Sequence, residues 1–273
     1  MACVVDDVND PRLAGFRDVK RWRSPAILVE GLEAVRMLLK SPYCCTELLV
    51  QSHMLADLEG FLGEQVLVCS LAVMEEATGV SVPSKAASLC FARAARLPPS
   101  LPSGDLRRVV VLDGLTDATN VGSIATAQGK SKPNMRVARA LGATALLLSR
   151  DCCDALAPLA VRASQGQIFH LPFFQGDLVP LLKELREEGV LTLAAVVQEG
   201  AKYLDEVKAL PERWALVLGS EHFGVSLEVR EVCCGMLKVR MAPGVDSFNV
   251  VTSAGVLIHG CVEREGRSSE TTW

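Results

Sequence analysis

The sequence predicts an α/β protein of two domains, the second of which is built on a parallel sheet. Apolar runs typical of strands alternate with helical patterns along most of the 273 residues. A proline-rich stretch interrupts this alternation once, and the strands after it are apolar on both faces, as they are in parallel sheets. With 49% hydrophobic residues, the chain is apolar enough to fill one or two cores.

The first third of the chain has the pattern of a small α/β domain. Apolar residues recur at helical spacing after Glu30, and Ser70 is a typical helix N-cap. We predict strands at Ala26–Val29, Thr46–Gln51 and Ala87–Ala92 and helices at Glu30–Lys40 and Ser70–Thr78.

A domain boundary is predicted at Leu97–Gly104, where three prolines and a glycine fall close together. Neither a helix nor a strand continues through such a stretch. We therefore divide the chain into a basic N-terminal segment of residues 1–23, a first domain of residues 24–96, a linker of residues 97–106, a second domain of residues 107–265 and a flexible tail of residues 266–273.

The second domain begins with the apolar run RVVVLD at Arg108–Asp113, which is typical of a strand buried on both faces. Further strands are predicted at Ala143–Leu148, Ile168–Leu171, Leu191–Val197, Trp214–Leu218 and Leu237–Val239. Long helical patterns cover Asp177–Glu188 and Val250–Glu263. This order predicts a parallel sheet with helices on both faces.

Charge and composition exclude several classes of protein. The net charge of −4 excludes a protein that coats nucleic acid with a uniformly basic surface. No apolar run approaches the length of about 18–20 residues that spans a bilayer, and the acidic N-terminus lacks the pattern of a signal peptide. We therefore expect a cytoplasmic protein with no membrane segment.

The ten cysteines and four histidines do not predict a metal site. Three cysteine pairs are adjacent rather than spaced as CxxC, and no histidine has the spacing of a metal ligand. We expect most cysteines to act as small buried hydrophobic residues in a reducing compartment. The motifs GxGxxG, GxxxxGK[ST] and GxSxG are also missing, which argues against a dinucleotide site, a phosphate loop and an α/β-hydrolase nucleophile.

Polar residues and glycines collect directly after three of the predicted strands. These clusters are Asp113–Ile124, Trp214–Ser226 and Val239–Val250. Open α/β sheets bind their ligands at the carboxyl ends of their strands. The three clusters together therefore predict a site at one edge of the second sheet.

In this order the clusters resemble motifs 1, 2 and 3 of the SpoU (TrmH) family of RNA ribose methyltransferases, over Arg107–Glu265. The first third, through Val29–Val35, resembles the ribosomal-protein-like domain that binds the RNA substrate in members of that family. The resemblance implies a deep trefoil-knot (SPOUT) fold, a homodimer and S-adenosylmethionine as cofactor. It also implies an RNA partner, either rRNA or tRNA.

The resemblance also assigns roles to residues. It implies catalytic roles for Asn120 and Arg136 of motif 1, Glu221 of motif 2, and Ser247 and Asn249 of motif 3. It implies cofactor contacts at Leu218, Gly219, Val239, Met241 and Phe248. A ribose 2′-hydroxyl is a poor nucleophile, so methyl transfer requires its alignment with the methyl group and help with the loss of its proton. Arg136, a permanent cation, can bind a neighbouring phosphate and orient the hydroxyl.

Basic residues are concentrated in two stretches, which suits an RNA partner. Asn9–Ser24 contains five basic and two acidic residues, and Gln128–Arg139 contains four basic residues and no acidic one. The second stretch includes Arg136, so we expect RNA to bind beside the predicted site.

Two features depart from the family pattern. The usual Ile-Pro-Met before motif 3 is Val239-Arg240-Met241 here, which puts the shape of the cofactor pocket in question. Arg136 follows Asn120 by sixteen residues rather than six, so motif 1 contains ten extra residues. We place them at Ala125–Asn134, where Gly129 and Pro133 oppose a helix, and expect an exposed, mobile, basic loop.

Two alternatives to an S-adenosylmethionine-dependent RNA 2′-O-methyltransferase remain open at this point. The first is a catalytically impaired family member that acts as an RNA-binding module because motif 1 is interrupted. The second is an unrelated α/β enzyme of small-molecule metabolism, for which the three clusters would have to be coincidence.

Overall fold

The computed structural model describes residues 2–17, 19, 25–58, 65–82, 89–98, 100, 102, 104, 106–125, 138–242, 244 and 247–267. The strands are β1 (Ala2–Val4), β2 (Ile27–Glu30), β3 (Cys45–Val50), β4 (Gln65–Val68), β5 (Phe91–Ala94), β6 (Arg108–Asp113), β7 (Ala145–Ser149), β8 (Phe173–Gly176), β9 (Leu191–Ala195), β10 (Lys202–Tyr203), β11 (Trp214–Gly219) and β12 (Gly235–Lys238). The α-helices are α1 (Leu32–Leu39), α2 (Leu71–Thr78), α3 (Ala118–Ile124), α4 (Pro158–Ser164), α5 (Leu178–Glu187), α6 (Leu227–Val232) and α7 (Val250–Val262).

The chain forms two compact units. The first comprises Met1–Pro98 and Leu156–His170, and the second comprises Pro99–Ala155 and Leu171–Trp273. Leu156–His170 therefore groups with the N-terminal part of the chain, although the sequence analysis placed it in the second domain. The domain boundaries at residues 24, 97, 107 and 266 remain predictions, which limited proteolysis would test.

The first unit contains a five-stranded mixed sheet in the order β1-β4-β3-β5-β2. β5 is antiparallel to both of its neighbours, whereas β1, β4 and β3 are parallel. The Ser70 side chain accepts a hydrogen bond from the Val73 amide at 3.3 Å, so the predicted cap of α2 is confirmed. Within this unit, α4 packs against β2, and Arg162 pairs with Glu30 at 3.4 Å.

One predicted strand is wrong. Ile168–Leu171 was expected to be a strand, but Gln167–His170 forms a 3₁₀-helix, and the strand of this region, β8, begins at Phe173. The helical turn buries Ile168 and Phe169 together and brings a ring nitrogen of His170 to 2.9 Å from the Met37 carbonyl oxygen. A short apolar run has no periodicity that separates a strand from a helix, which explains the error.

The second unit contains a parallel sheet in the order β10-β12-β9-β11-β6-β7-β8. The predicted α/β fold with a parallel sheet is thereby confirmed, whereas the knotted path of the chain stays a prediction. Alternate residues of the central strands, such as Val111 and Val217, pack with α5 and α6 in one apolar core. The central strand β11 also contacts α7, and α7 in turn packs against α3.

None of the ten cysteines forms a disulfide bond, and five of them are buried. Burial raises the pKa of Cys90 and of Cys261 to about 12 in each case, so these thiols remain protonated and act as apolar core residues. Cys44 and Cys234 are exposed instead. Over the described ranges, no helix has both the length and the apolar character that crossing a membrane requires.

Candidate functional site

The two central strands of the second sheet end side by side. Asp113, the last residue of β6, pairs in register with Gly219, the last residue of β11. The buried Asp113 carboxylate accepts a hydrogen bond from the Ser226 amide at 2.7 Å. The carboxyl end of β6 is therefore joined to the segment that follows β11, and two of the three predicted clusters meet there.

The folding of the chain back on itself requires a glycine at position 219. A Cβ atom on Gly219 would overlap the backbone of Gly224 and Val225, because the turn after β11 folds back over the end of the strand. The Gly224 amide donates to the Ser220 carbonyl oxygen at 2.9 Å, and the Phe223 amide donates to Ser220 Oγ at 3.1 Å. Gly224 has a φ of +67°, which favours glycine. The missing side chain at Gly219 therefore allows two backbone segments of the chain to approach each other closely.

A cavity of about 340 Å³ opens at this edge of the sheet. Its volume lies in the range of about 300–1,000 Å³ that is usual for small-molecule sites. The predicted cofactor contacts all line it: Leu218, Gly219, Val239, Met241 and Phe248. Among the predicted catalytic residues, Glu221 and Ser247 line it as well.

One group of residues that line the cavity was not predicted from the sequence. The end of β9 and the residues after it, Ala195, Val196 and Val197, line the cavity as well, and Leu237, Val250 and Leu257 add further apolar surface. The predicted strand at Leu191–Val197 was a signal for these residues. The sequence could not show that β9 lies next to β11, however, and so could not place them at the site.

Glu221 joins the three clusters. Its Oε1 atom accepts hydrogen bonds from Asn120 Nδ2 at 3.3 Å and from Asn249 Nδ2 at 2.5 Å. Asn249 is itself fixed as the N-cap of α7, since its Oδ1 accepts from the Val251 amide at 2.9 Å. Asn120 lies in the first turn of α3, which Asp117 caps. The N-termini of α3 and α7 therefore hold the side-chain amides of Asn120 and Asn249, and both amides donate to the Glu221 carboxylate.

Four of the five predicted catalytic residues thus lie together at the cavity or one hydrogen bond from it. The fifth, Arg136, lies outside the described residues, as do the residues 126–137 around it. No group of three or more His, Cys, Asp or Glu side chains in the described ranges is arranged to hold a metal ion.

The end of α3 shows where the ten extra residues of motif 1 enter the chain. The Ala138 amide donates to the Ile124 carbonyl oxygen at 2.7 Å, and Ala138 has helical backbone angles. An α-helix joins residues four apart by this bond, whereas these two are fourteen apart in sequence. The helical hydrogen bond therefore spans ten extra residues, the same number that the motif spacing gives.

The position of the insertion is corrected by one residue. The predicted loop began at Ala125, but Ala125 is fully buried and its amide donates to the Val121 carbonyl oxygen at 3.1 Å. It caps α3 and belongs to the helix. The rest of the expected loop, its exposure and its mobility lie outside the described residues.

Both the sequence and the fold of the chain are similar to those of known proteins. The family model described as "SpoU rRNA Methylase family" matches residues 107–259. A 23S rRNA (guanosine(2553)-2′-O)-methyltransferase of Bacillus subtilis is 28% identical over 88% of this chain and 90% of its own length. An uncharacterized tRNA/rRNA methyltransferase of Mycobacterium tuberculosis is 30% identical over 93% of this chain and 90% of its own. The crystal structure of an AdoMet-bound rRNA methyltransferase from Sinorhizobium meliloti has a similar fold, with a TM-score of 0.78 and 20% identity over 96% of this chain and 98% of that one.

Proposed function

The chain belongs to the SpoU rRNA methylase family, and on this premise we propose that it methylates a ribose 2′-hydroxyl of rRNA or tRNA with S-adenosylmethionine bound in the cavity beside Gly219. The observation that carries the proposal is the convergence of the three motifs on this cavity through Glu221. The enzyme is an RNA methyltransferase, and its cofactor is S-adenosylmethionine.

The residues of the cavity fit this cofactor. Apolar side chains make up most of its wall and suit the adenine ring, and the Glu221 carboxylate suits the positive charge of a sulfonium. When bound, S-adenosylmethionine supplies an electrophilic methyl group. Leu218, Gly219, Val239, Met241 and Phe248 would hold it.

The polar residues at the rim would act on the RNA. We assign to Arg136 the binding of a phosphate and the orientation of the 2′-hydroxyl. The carboxylate of Glu221, fixed by Asn120 and Asn249, provides a negatively charged partner for such an arginine. Ser247 lies at the cavity beside them and offers a hydroxyl group as donor and acceptor.

We further propose that the enzyme works as a homodimer in the cytoplasm and that its N-terminal domain binds the RNA substrate. The basic stretch Asn9–Ser24 supports RNA contact in the N-terminal part of the chain. Exposed apolar side chains near the cavity, Phe223 and Leu227 among them, provide a surface that a second copy could cover. Sedimentation equilibrium would test the dimer, and cell fractionation would test the location.

Calorimetry and methyl transfer together test the proposed function. The full chain should bind S-adenosylmethionine and should transfer its labelled methyl group to unmodified rRNA or tRNA transcripts at a ribose. The comparisons do not support an impaired enzyme. Tight RNA binding with no transfer to any transcript would nevertheless restore that alternative, and failure to bind S-adenosylmethionine would overturn the proposal.

Two substitutions of Glu221 distinguish the role of its negative charge from its role as a hydrogen-bond acceptor. We expect Glu221→Ala to lower the rate of methyl transfer about 100-fold, because the site loses the carboxylate that Asn120 and Asn249 hold in place. Glu221→Gln keeps an acceptor oxygen for the two amides but removes the negative charge, so its loss of activity should be smaller than that of Glu221→Ala. Single-turnover kinetics at saturating cofactor measure the effect. Equal losses in the two variants would show that the charge, rather than the alignment of the amides, is what matters.

Removal of the insertion should leave an active enzyme. Deletion of residues 126–135 keeps the buried Ala125, places Ala138 four residues after Ile124 and restores the six-residue spacing of Asn120 and Arg136. We expect unchanged or higher thermal stability by circular dichroism and equal or faster methyl transfer.

A deletion one residue shorter is the matched control. Without residues 126–134, the helix resumes out of register by one residue, which is a rotation of about 100°. This variant should be less stable and less active than the ten-residue deletion. If the two deletions behave alike, the helical register is wrong, and if the longer one folds and binds cofactor but transfers more slowly than the parent, the insertion contributes to RNA recognition.

A further inference from the structure

Arg240 occupies the position at which the family pattern has proline, and the structure shows where its side chain goes. Val239 and Met241, its neighbours in sequence, line the cavity, but Arg240 does not. We propose that Arg240 is a positioning residue, which holds Val239 and Met241 against the cofactor through contacts with Tyr203, Asp205 and Glu206. This inference rests on the proposed function, because it takes the cavity to be the cofactor site.

The segment that carries Val239 and Met241 lies beyond the end of its strand. The ladder of β12 with β9 ends at the pair Leu237–Ala195, and its ladder with β10 ends at Lys238–Tyr203. Residues 239–242 are no longer part of the sheet. Something other than the sheet ladder must therefore fix this part of the cavity wall.

Arg240 reaches across to the segment that follows β10. Its Nε atom donates to Asp205 Oδ2 at 3.0 Å, and its Nη2 atom donates to Glu206 Oε1 at 3.2 Å. The guanidinium group also lies 3.9 Å from the centre of the Tyr203 ring. Two carboxylates and one aromatic ring thus hold one side chain, an arrangement that the planar guanidinium group allows.

The contacts of Arg240 explain why it leaves the cavity free. Its guanidinium group lies over the Tyr203 ring and donates to Asp205 and Glu206. Lys238, two residues earlier, also places its cation over this ring, with Nζ at 4.4 Å, and it lines the cavity as well. Arg240 therefore does not obstruct the cavity between Val239 and Met241.

The segment after β10, which contacts Arg240, is itself held in place. The Glu206 carboxylate accepts a hydrogen bond from the Tyr203 amide at 3.3 Å, which closes the short 3₁₀-helix Leu204–Glu206, and Tyr203 pairs with β12. The hydrogen bond from Arg240 lowers the pKa of the Asp205 carboxyl, so that carboxylate is charged at neutral pH. Arg240 is thus bound to a partner that the fold holds in place and that is charged at neutral pH.

Replacement of Arg240 should weaken cofactor binding without slowing the chemical step. For Arg240→Ala we expect the Kd and KM for S-adenosylmethionine to rise about five- to tenfold, as befits exposed ion pairs combined with a cation–π contact. The kcat at saturating cofactor and the KM for RNA should stay within about twofold, because no contact of Arg240 reaches the polar rim. Arg240→Lys keeps a cation over Tyr203 and should recover part of the affinity.

Arg107→Ala is the matched control. Arg107 pairs with Glu212 at 3.5 Å and is as exposed as Arg240, but it precedes β6 at the opposite end of the sheet. Its loss should not change the Kd for S-adenosylmethionine. If Arg240→Ala proves too unstable to study, the double variant Asp205→Asn with Glu206→Gln removes the same ion pairs from the other side.

The outcomes separate the inference from the function on which it rests. A rise in Kd for Arg240→Ala or for the double variant, but not for Arg107→Ala, supports the positioning role. Equal affinity in all of these variants overturns it while leaving the enzyme's function intact. Absence of S-adenosylmethionine binding by the unchanged protein would instead overturn the proposed site, and the positioning role with it.

Discussion

Gly219→Val is expected to abolish S-adenosylmethionine binding while the second domain remains folded. The Cβ atom would overlap the backbone of Gly224 and Val225, so the turn that carries Glu221 and lines the cavity must move away from β11. Backbone atoms cannot yield as a flexible side chain does, and overpacking of this kind is not relieved locally. Isothermal titration calorimetry should detect no binding, and circular dichroism should show the parent's secondary structure.

A smaller substitution tests the cause of that effect. Because the first side-chain carbon already overlaps the turn, Gly219→Ala should lose most of the affinity that Gly219→Val loses. Gly189→Ala is the control, since an added Cβ there meets nothing within 4 Å although its φ of +82° strains any other residue. We expect it to cost about 1–2 kcal/mol of stability and to leave the affinity unchanged. If Gly219→Ala binds cofactor like the parent, the overlap does not displace the turn.

Arg136→Ala is expected to eliminate methyl transfer with cofactor affinity changed by no more than a few-fold. The proposed role of Arg136 concerns the RNA hydroxyl and its neighbouring phosphate, whereas we propose that the cofactor contacts the apolar wall and the strand ends that line the cavity. Arg136→Lys should recover little activity, because a point charge does not reproduce the forked donors of a guanidinium group. Calorimetry and single-turnover transfer on the same preparation measure the two effects separately.

The neighbouring Arg139 provides the control for charge alone. Arg139 lies three residues further along the same basic stretch, and Arg139→Ala removes the same charge. If general attraction of RNA were the role of Arg136, the two variants would lose activity to a similar extent and would show a similar change in salt dependence. If Arg136→Ala, but not Arg139→Ala, lost both cofactor binding and methyl transfer, the role of Arg136 would be structural.

The sequence by itself predicted most of the residues that meet at the candidate site. Strands that are apolar throughout predicted the parallel sheet, and polar clusters after three of them predicted a site at the carboxyl edge, where Glu221 and Asn249 do meet. The count of extra residues between Asn120 and Arg136 also came from the sequence alone, and the bond from Ala138 to Ile124 gives the same number. Local patterns and motif spacing were sufficient for each of these.

Only the tertiary structure decided how those residues are held. It placed β9 beside β11, and so brought Ala195–Val197 into the cavity wall, and it grouped Leu156–His170 with the first unit. It placed the Arg240 side chain against Asp205 rather than in the cavity. It also showed that a side chain at position 219 would overlap the backbone of Gly224. Each of these facts depends on contacts between segments distant in sequence. Periodicity reports which face of an element is buried, but the partner that buries it is selected by packing of the whole chain.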